Sequence, residues 1–340
     1  MKAIVLKRRG NADVLSAVNI PQPDPPILDE VLIHLKAAGV NYAEILTRRG
    51  IYGWVPAESQ FVLGMEGAGI VEAIGPDVSD FSVGDPVIVG YQYGCQAERT
   101  KVSQRYVFPA IDDYSFEENA AFTVSFLTSF VALREMARAR PKESLLIHAA
   151  AGGLGTAAVQ LGKALNLEIA GTASSPKKIT FLKNQMDIDL AIGYDSFQKE
   201  IFQWKPNGVD VIIESIGGKI FRESIACLAP MGRIIVVGLS SVRFSKYKPW
   251  TWWAAYRTLP KVNVLKMLGN SQGVMSFHLG QLLFKQYPRI KILFDELVEL
   301  VKENSLRPVI DTVFPLESIN EAHKRIESRQ NIGKVILTID

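Results

Sequence analysis

Residues 144–165 limit the possible folds of this chain more than any other stretch, because they join an apolar strand to a helix through a turn of small residues. Residues 144–149, SLLIHA, have the length and character of a buried parallel strand, and residues 156–165, TAAVQLGKAL, have the composition and spacing of a helix. The turn between them is the place where a ligand can bind.

This turn has glycines at positions that a dinucleotide-binding turn needs. In such turns one glycine makes the tight bend, a second lets the backbone approach the phosphates, and a third lets the helix pack closely on the strand. The start of a helix also presents unpaired N–H groups and a partial positive charge to an anion. Gly152 and Gly155 stand in the second and third places, and Ala150 takes the first. We therefore predict that a pyrophosphate binds at Ala150, Gly152, Gly153, Leu154 and Gly155; the alternative is that the small residues serve packing alone.

The strand after this helix distinguishes between the two nicotinamide dinucleotides. A second strand is predicted at residues 167–173, near the position about 20 residues on where a NAD-binding protein carries an acid for the ribose hydroxyls. Residues 170–186 contain no Asp or Glu, and the strand runs into Ser174, Ser175, Pro176, Lys177 and Lys178. Hydroxyl and ammonium groups suit a 2′-phosphate, which a carboxylate would repel, so the sequence favours NADPH over NADH. The alternative for Lys177 or Lys178, each taken alone, is that it lies on a solvent-exposed face of a helix.

Length and composition limit the class of protein. A chain of 340 residues exceeds one typical core, so we expect two domains, and a hydrophobic content of 48% is enough for both. The 38 basic and 35 acidic residues leave a net charge of +3, too small and too dispersed for a nucleic-acid partner. Cys95 and Cys227 are too few for a disulfide framework or a thiolate zinc site, as is typical of a reducing cytosol, although one bond between them stays open. With no signal peptide and no transmembrane span in the sequence, a cytoplasmic location is predicted.

The first 110 residues are rich in short strands and turns. Strands are predicted at 1–6, 31–37, 69–74 and 86–90, and they indicate a β-rich, barrel-like domain. A long helix is then predicted from Glu117 to Arg140, where Pro141 ends it, and the domain boundary is placed near this change of pattern.

Strands and helices alternate after that helix. Further strands are predicted at 189–193, 209–214 and 232–238, and the helices between them at 176–186, 197–204 and 218–228. This alternation predicts a doubly wound sheet, which a last strand at 273–279 closes. The remaining helices at 290–304 and 316–328 and strands at 308–315 and 333–339 are interpreted as a return to the first domain.

Four groups of motifs along the chain resemble a known family. They are Gly39-Val-Asn-Tyr42; Gly64-Met-Glu-Gly-Ala-Gly69 with Gly75 and Gly84-Asp85; His148 to Gly155; and Gly208-Val-Asp210 with Gly217-Gly218. With them, the whole chain resembles the zinc-independent quinone oxidoreductase branch of the medium-chain dehydrogenase/reductase superfamily. The resemblance implies an α/β fold with two domains. These are a GroES-like β-barrel catalytic domain at residues 1–118 and 282–340, and a doubly wound Rossmann domain for NADPH at residues 119–281.

The resemblance raises the question of zinc, because the alcohol dehydrogenases of this superfamily hold a catalytic Zn²⁺ with Cys, His and a third ligand. Asn41 stands at the family's first cysteine position, and Gly64-Met65-Glu66 replaces its Gly-His-Glu. The four cysteines of the structural zinc lobe are also missing, since Cys95 is the only cysteine in that region of the sequence. No two of the four histidines have ligand spacing. We therefore predict an enzyme without a metal.

Without a metal, the acceptor of a hydride has to be electrophilic by itself, as quinones and α,β-unsaturated carbonyl compounds are. The resemblance places Asn41 and Tyr52 beside the nicotinamide, where an amide and a phenol orient the ring or donate to the substrate oxygen. The alternatives are a turn residue for Asn41 and a surface aromatic for Tyr52. A dedicated acid is not required, because water can protonate a hydroquinone. An alkenal or enoyl-thioester reductase is a second function of the same chemistry.

Other cofactor contacts come from the resemblance alone. It implies that Ser174, Lys178 and Tyr194 hold the 2′-phosphate, with Arg329 as a fourth contact. It also implies that the nicotinamide is bordered by residues near the ends of the last two sheet strands, namely Leu239, Phe277 and Leu279.

The last predicted strand, residues 273–279, has two further implications. His278 is interpreted as a buried core histidine of this strand rather than as a proton donor. The strand is apolar and uncharged, so an exposed edge would leave backbone groups unpaired, and relatives in this branch pair through that edge. A homodimer is therefore predicted.

Three stretches are similar to a subgroup, the VAT-1 homologue-like proteins: Trp250–Trp253, Ser276–Gly280 and Asn331–Val335. Around the first stretch, four aromatic residues lie among four cations: Trp250, Trp252, Trp253 and Tyr256 among Lys246, Lys248, Arg257 and Lys261. Tryptophans among cations suit a lipid surface, so a lipid- or membrane-associated binding protein is a third function. A helix that packs its aromatic residues against the protein or a partner subunit is the favoured interpretation, and membrane association is not predicted.

Overall fold

The computed structural model of the protein describes residues 1–52, 60–241 and 261–340. The chain forms two compact units: unit 1 is Met1–Val124, Leu282–Ile290 and Arg307–Asp340, and unit 2 is Ser125–Gln281 and Lys291–Leu306. Residues 119–124 thus belong to unit 1 and residues 291–306 to unit 2, whereas the sequence assigned each to the other domain. The predicted aromatic stretch from Trp250 to Tyr256 lies outside the described residues.

Unit 1 is built mainly from antiparallel strands. They are β1 (Lys2–Leu6), β2 (Ala17–Asn19), β3 (Glu30–Val40), β4 (Phe61–Val62), β5 (Glu66–Ile74), β6 (Pro86–Gly90), β7 (Arg99–Ser103), β8 (Val107–Pro109), β15 (Ile310–Pro315) and β16 (Lys334–Thr338). In the small sheet β1 lies between β2 and β4, and the larger sheet has the order β15-β16-β3-β5-β6-β8, with β7 also paired to β3. The β-rich first domain predicted from the sequence is confirmed.

Strand β3 is the centre of the larger sheet, since it pairs antiparallel with β5, β7 and β16. The approach of β5 is so close that a Cβ on Gly69 would lie 2.1 Å from the His34 carbonyl oxygen, and only glycine fits there. At the other side, Val335 of β16 pairs with Val40 of β3. This register brings the start of β16 next to Asn41, which follows β3.

Short helices complete unit 1: α1 (Tyr42–Arg48), α2 (Phe116–Ala120) and α10 (Ile319–Glu327). The long helix predicted from Glu117 to Arg140 is wrong in form, because α2 ends at Ala120 and residues 123–136 follow with π-helical turns at Thr123–Leu127 and Val131–Met136. One physical reason lies at Val124, whose N–H donates to the Glu66 carboxylate at 2.7 Å instead of to a helix carbonyl.

Unit 2 is built on a sheet of parallel strands: β9 (Ser144–Ile147), β10 (Glu168–Thr172), β11 (Leu190–Ile192), β12 (Val209–Glu214), β13 (Leu228–Val236) and β14 (Gly273–Ser276). The order is β11-β10-β9-β12-β13-β14. The chain moves outward from β9 to β11 and then starts again on the other side of β9 with β12. Such a reversal is the point at which doubly wound sheets bind ligands, at the carboxyl ends of the strands. The predicted fold class is confirmed.

Helices connect these strands: α3 (Gly153–Ala164), α4 (Pro176–Asn184), α5 (Phe197–Trp204), α6 (Gly218–Ala226) and α7 (Val264–Asn270). Two more, α8 (Leu279–Lys285) and α9 (Tyr287–Glu303), follow β14. The apolar faces of α5 and α6 pack on the sheet, where Phe197, Ile201 and Phe221 join a buried cluster with residues of β12 and β13. Helix α3 begins three residues earlier than predicted, so Gly153 and Gly155 belong to its first turn.

The amino-terminal ends of the central strands of unit 2 are tied by polar contacts. The Ser144 N–H and hydroxyl both donate to one Asp210 carboxylate oxygen, at 2.8 and 2.6 Å, and the Asp210 N–H donates back to the hydroxyl at 3.0 Å. Arg233 of β13 donates to both carboxylate oxygens of Glu143 and to the Ala137 carbonyl. These contacts fix β9, β12 and β13 to one another.

The last strand of unit 2 is shorter than predicted, because β14 ends at Ser276 and α8 begins at Leu279. The interpretation of His278 as a core histidine of a strand is therefore wrong. His278 is half-buried and lies just before α8, where its Nδ1 accepts a hydrogen bond from the Gln281 N–H at 3.3 Å. The apolar run in the sequence continues past the strand because the first turn of α8 is apolar as well.

Candidate functional site

Gly155 has the packing role that the sequence predicts for the third glycine of the fingerprint turn. A Cβ on Gly155 would lie 2.3 Å from the Ala149 carbonyl oxygen and 2.5 Å from the Ala150 Cα, so the contact of α3 with the turn requires glycine. A Cβ on Gly152 would meet only the Ala149 carbonyl oxygen, at 3.3 Å. Apart from this one tight contact, the side of Gly152 is open, which leaves room for a ligand at the start of α3.

The tight bend of the turn falls on Ala149, one residue before the predicted place. Ala149 has a φ of 54°, in the left-handed region that favours glycine. Its N–H donates to the Tyr194 hydroxyl at 3.0 Å, and the Ala150 N–H donates to the Thr172 carbonyl at 3.0 Å. Tyr194, predicted as a contact of the 2′-phosphate, thus braces the fingerprint turn from the end of β11.

His148, which directly precedes Ala149, also holds the turn in place. It is fully buried, and its two ring nitrogens hydrogen-bond to the Thr172 hydroxyl at 2.9 Å and to the Ser224 hydroxyl at 2.7 Å. Burial lowers the pKa of His148 to about 3, so the ring is neutral at physiological pH and joins β9 to β10 and α6.

The residues predicted for the 2′-phosphate lie at the carboxyl end of β10. Ser174 is exposed, and the Ser175 hydroxyl caps α4 by accepting from the Lys178 N–H at 3.4 Å, with Pro176 in the first helical position. Lys177 is exposed, but the Lys178 side chain is only 9% exposed. The alternative of a solvated helix face therefore describes Lys177 and does not describe Lys178.

Glu214 ends β12 at the same edge of the sheet, and the sequence reasoning missed it. Its carboxylate is fully buried and accepts hydrogen bonds from the Ile216 N–H at 2.7 Å and the Gly217 N–H at 2.9 Å. Burial raises the pKa of Glu214 to about 7, although the two hydrogen bonds act to lower it. Gly217 has a φ of 81°, and a Cβ there would lie 3.0 Å from Leu239, so the turn after β12 packs against the end of β13.

The remaining predicted cofactor residues are not all at this edge of unit 2. Leu239, Phe277 and Leu279 are half-buried and follow β13 and β14. Arg329 belongs to unit 1, where it is exposed just after α10 with a φ of 55°.

Unit 1 contains a second candidate site, a buried network of polar side chains that we call the Glu66 network: Asn41, Glu44, Glu66, Gln96 and Lys334. All five are at most 9% exposed. The Lys334 ammonium donates to a Glu66 carboxylate oxygen and to the Asn41 side-chain oxygen, the latter at 2.8 Å. The Asn41 side-chain nitrogen donates to the same Glu66 oxygen at 3.0 Å. Both ends of the Asn41 amide are therefore held from inside the protein.

Glu44 forms the other half of the network. One of its carboxylate oxygens accepts from the Met65 N–H at 3.1 Å and lies 3.4 Å from the Asn41 side-chain nitrogen, and the other lies 2.5 Å from the Gln96 side-chain nitrogen. Burial raises the pKa of Glu44 to about 7, although the hydrogen bonds from Met65 and Asn41 and the charge of Lys334 act against it. The neighbouring negative charge of Glu66 adds to the increase.

Glycines make the network possible. A Cβ on Gly39 would lie 2.5 Å from a Glu66 carboxylate oxygen and 2.7 Å from the Ala120 carbonyl oxygen. Gly64 has a φ of 107°, and a Cβ there would lie 2.3 Å from the Gln96 backbone nitrogen. The first glycine of each of two sequence motifs, 39–42 and 64–69, therefore serves this site.

The network does not fit a catalytic zinc. Met65, at the family's histidine position, contributes only its backbone N–H, and the facing Asn41 and Glu66 oxygens are already bonded to the Lys334 ammonium. Across residues 1–52, 60–241 and 261–340, no group of three or more His, Cys, Asp or Glu side chains is arranged to hold a metal ion. Cys95 and Cys227 are both buried and unbonded to each other, so the disulfide left open by the sequence is absent.

Tyr52, the second predicted catalytic residue, follows α1, the helix that contains Glu44. The Ile51 and Tyr52 N–H groups both donate to the Leu46 carbonyl, at 2.9 and 3.3 Å, which turns the chain back along α1. Burial and the charge of Glu44 raise the pKa of the Tyr52 phenol to about 12. The phenol therefore stays protonated at neutral pH.

The Glu66 network, apart from Asn41, was not predicted from the sequence. Glu66 and Lys334 stand in two of the family-like stretches, 64–69 and 331–335, but the resemblance gave them no role. The local signals are a lysine at the start of the apolar run KVIL and glutamates within otherwise apolar or glycine-rich stretches. A charged residue at the start or end of an apolar strand is a usual surface pattern, so neither signal is specific.

Family models match most of the chain. Residues 28–123 match the alcohol dehydrogenase GroES-like domain, and residues 187–337 match a domain described as zinc-binding dehydrogenase. The human synaptic vesicle membrane protein VAT-1 homolog-like is 32% identical over 351 residues, which cover 100% of this chain and 81% of that protein.

Solved structures of several oxidoreductases are similar to the whole chain. A quinone oxidoreductase of Pseudomonas syringae is 28% identical with a TM-score of 0.86, and the match covers 99% of each chain. A mycobacterial protein complexed with NADPH is 26% identical with a TM-score of 0.87 and full coverage of both chains. The CurK enoyl reductase is 28% identical with a TM-score of 0.84, covering 100% of this chain and 99% of that one.

Proposed function

Since this chain belongs to the medium-chain dehydrogenase/reductase superfamily, we propose that it transfers hydride from NADPH to a quinone or a related α,β-unsaturated carbonyl compound. The observation that carries the choice of acceptor is the Lys334 ammonium bonded to Glu66 and Asn41. It leaves the Glu66 network without the ligands that would bind a Lewis-acidic metal and polarise an ordinary ketone or alcohol. An acceptor that is electrophilic by itself needs mainly positioning.

The cofactor preference is supported by the end of β10. The stretch from Ser174 to Lys178 offers hydroxyl groups and a mostly buried lysine, and no carboxylate lies in residues 170–186. We propose that Ser174, Lys178 and Tyr194 hold the 2′-phosphate, and that Ala150 to Gly155 hold the pyrophosphate at the start of α3. A bound NADPH supplies the hydride. The similarity to a mycobacterial protein complexed with NADPH supports the same preference.

The hydrogen bonds of Asn41 narrow its proposed role. Its side-chain nitrogen already donates to Glu66 and faces Glu44, so it is not available as a donor to a substrate oxygen. Its side-chain oxygen accepts from Lys334 and keeps a second lone pair. We therefore propose that Asn41 acts as an acceptor that orients the nicotinamide carboxamide, and that Tyr52 is the donor toward the acceptor molecule.

An enoyl-thioester reductase is the second candidate, supported by the similarity to the CurK enoyl reductase. Steady-state consumption of NADPH over a panel of quinones, alkenals and enoyl thioesters tests the proposal. We expect the highest kcat/KM with quinones or simple enones, and a higher value with an enoyl thioester would favour the second candidate. Consumption with none of the three classes would refute the oxidoreductase function of this chain.

We also propose that the protein is a cytosolic homodimer that pairs through β14. Within the described residues β14 has a neighbour on one side only, β13, and helix α7 exposes Val264, Leu265 and Leu268 at 73–79%. An unpaired strand edge and exposed apolar side chains are typical of a subunit contact.

Among the described residues there is no helix with both the length and the apolar character of a membrane span. Sedimentation with anionic lipid vesicles tests the lipid-associated alternative, for which we expect no binding.

A further inference from the structure

The Asn41 side chain does not make the contact that its position in the chain offers. Asn41 directly precedes α1, where the side-chain oxygen of an asparagine usually accepts a hydrogen bond from an N–H of the first helical turn. Its side chain makes no such bond, and the Glu44 N–H donates to the Asn41 main-chain carbonyl at 3.1 Å. The side-chain amide is bonded to Lys334 and Glu66 instead. The helix that follows therefore does not determine the position of this amide.

The two charged partners allow only one orientation of the Asn41 amide. An ammonium group can only donate hydrogen bonds, and an ionised carboxylate can only accept them. The amide oxygen therefore faces Lys334, at 2.8 Å, and the amide nitrogen faces Glu66, at 3.0 Å. In the reversed orientation, N–H groups would face the ammonium and the oxygen would face the carboxylate. Both charges are buried, where such repulsion is poorly screened, so the pair selects the observed orientation.

The backbone holds both members of this ion pair in place. The second Glu66 carboxylate oxygen accepts from the Val124 N–H at 2.7 Å. Lys334 follows Gly333, which has a φ of 88° and lies so close to Val309 that a Cβ would be 2.1 Å from the Val309 carbonyl oxygen. The Lys334 N–H donates to the same carbonyl at 2.8 Å. The ammonium and the carboxylate therefore have fixed positions from which they orient the amide.

Asn41 is also the most exposed member of the Glu66 network, at 9% against at most 5% for the other four. It is therefore the member that is best placed to contact a ligand. We infer that the ion pair of Lys334 and Glu66 fixes Asn41 as an acceptor, so that the site selects a dinucleotide by the N–H of its nicotinamide carboxamide. This selection rests on the proposed function, which places Asn41 beside the nicotinamide. Lys334 and Glu66 are positioning residues, because they act on the cofactor through Asn41.

The 3-acetylpyridine analogue of NADPH is the probe for this selection. It keeps the phosphates, the ring and the carbonyl group, and it has a methyl group in place of the carboxamide nitrogen. Calorimetry gives the two dissociation constants, and their ratio is the readout. We expect the wild type to bind NADPH about tenfold more tightly, because the analogue leaves a mostly buried acceptor without one hydrogen bond.

This first measurement needs no variant. Equal dissociation constants for NADPH and the analogue would overturn the inference and leave the proposed cofactor in place. If the wild type binds neither dinucleotide, the proposed function and the inference fail together.

The double variant Lys334→Met with Glu66→Gln tests the ion pair itself. It removes both charges and keeps Asn41, and a glutamine at position 66 can donate or accept. The contact that remains, from the Asn41 side-chain nitrogen to Glu44, is 3.4 Å and long for a hydrogen bond. The amide can then adopt either orientation, so the ratio of dissociation constants should fall to about twofold. A double variant that keeps the tenfold ratio would show that the pair does not set the amide.

The ratio separates positioning from a general loss of structure. A loosened site would weaken the binding of both dinucleotides by the same factor and leave their ratio unchanged. The matched control is Lys101→Met with Glu30→Gln, which removes an ion pair between β7 and β3 of the same sheet. This control should keep the wild-type ratio, and a control that lost it would contradict a specific role of Lys334 and Glu66.

Discussion

Replacing Lys334 with methionine tests whether the Glu66 network is held by a buried ion pair. The ammonium bonds to Glu66 and Asn41, and the side chains of Lys334 and Glu66 are 5% and 0% exposed. Removing one partner of a buried pair leaves the other charge uncompensated and typically costs about 3–5 kcal/mol. Glu66 keeps two donors, the Asn41 side-chain nitrogen at 3.0 Å and the Val124 N–H at 2.7 Å. We therefore expect Lys334→Met to lower the free energy of unfolding by about 3 kcal/mol, near the lower limit of this range.

The double variant Lys334→Met with Glu66→Gln makes the comparison decisive. Glu66→Gln alone leaves the ammonium buried without its counter-charge and should also lose about 3 kcal/mol. The double variant has no buried charge in the pair, so it should lose less than either single variant. Equilibrium urea unfolding of the wild type, the two single variants and the double variant, followed by circular dichroism, gives their free energies of unfolding. The four values are compared with one common dependence of the free energy on urea concentration.

A control for this cycle lies in the same sheet. Lys101 of β7 and Glu30 of β3 form an ion pair at 3.0 Å, with side chains 23% and 29% exposed. Lys101→Met should lose less than about 1 kcal/mol, because solvent screens an exposed pair. A double variant of Lys334 and Glu66 that loses the sum of the two single losses would refute the argument, since the two charges would then not depend on each other.

Four other outcomes are expected. Lys178→Ala should weaken NADPH binding by about 1.5–3 kcal/mol and leave NADH binding nearly unchanged in calorimetry, whereas equal wild-type affinities for the two cofactors would contradict the assignment. Metal analysis of protein purified without an affinity tag should find no stoichiometric zinc, and a zinc whose removal abolishes activity would overturn the mechanism. Met275→Pro removes a donor from β14 and should shift the dimer toward monomer in light scattering at micromolar concentration; a wild type that is already monomeric would show that the β14 edge makes no subunit contact. Burial lowers the pKa of His323 to about 3, so unfolding takes up a proton below about pH 6.5, and His323→Leu should gain stability relative to the wild type as the pH falls from 6.5 toward 3; a pH-independent difference in unfolding free energy would contradict this.

The parallel sheet of unit 2 could be predicted well because its signals are local. The strand Val209–Glu214 and the helix Phe197–Trp204 were predicted with the bounds that the structure has, since each is an apolar or amphipathic run that ends at turn-forming residues. The predicted bounds of strands and helices were wrong where the local signal is ambiguous. The apolar run after Gly273 continues from strand into helix at Leu279, and glycines that are poor helix formers begin α3 at Gly153.

The Glu66 network could not be predicted because its contacts are far apart in the chain. Lys334 and Glu66 are 268 residues apart, and the antiparallel pairing of both β16 and β5 with β3 brings them together. Asn41 was found through a family motif, but the direction of its amide was not, because that depends on Lys334. Glu44 gave no local signal, since a glutamate in the first turn of a helix is usual at a surface.

The polar ties at the amino-terminal ends of β9, β12 and β13 bear on how this protein can change over evolutionary time. Ser144, Asp210, Glu143 and Arg233 join the strands at the end of the sheet opposite to the fingerprint turn. Exposed residues at the other end, such as Ser174 and Lys177, take no part in these ties, so they can be exchanged without loosening the strands. This separation allows cofactor preference and acceptor choice to drift while the same framework keeps folding, and it offers an engineer a rim that tolerates substitution.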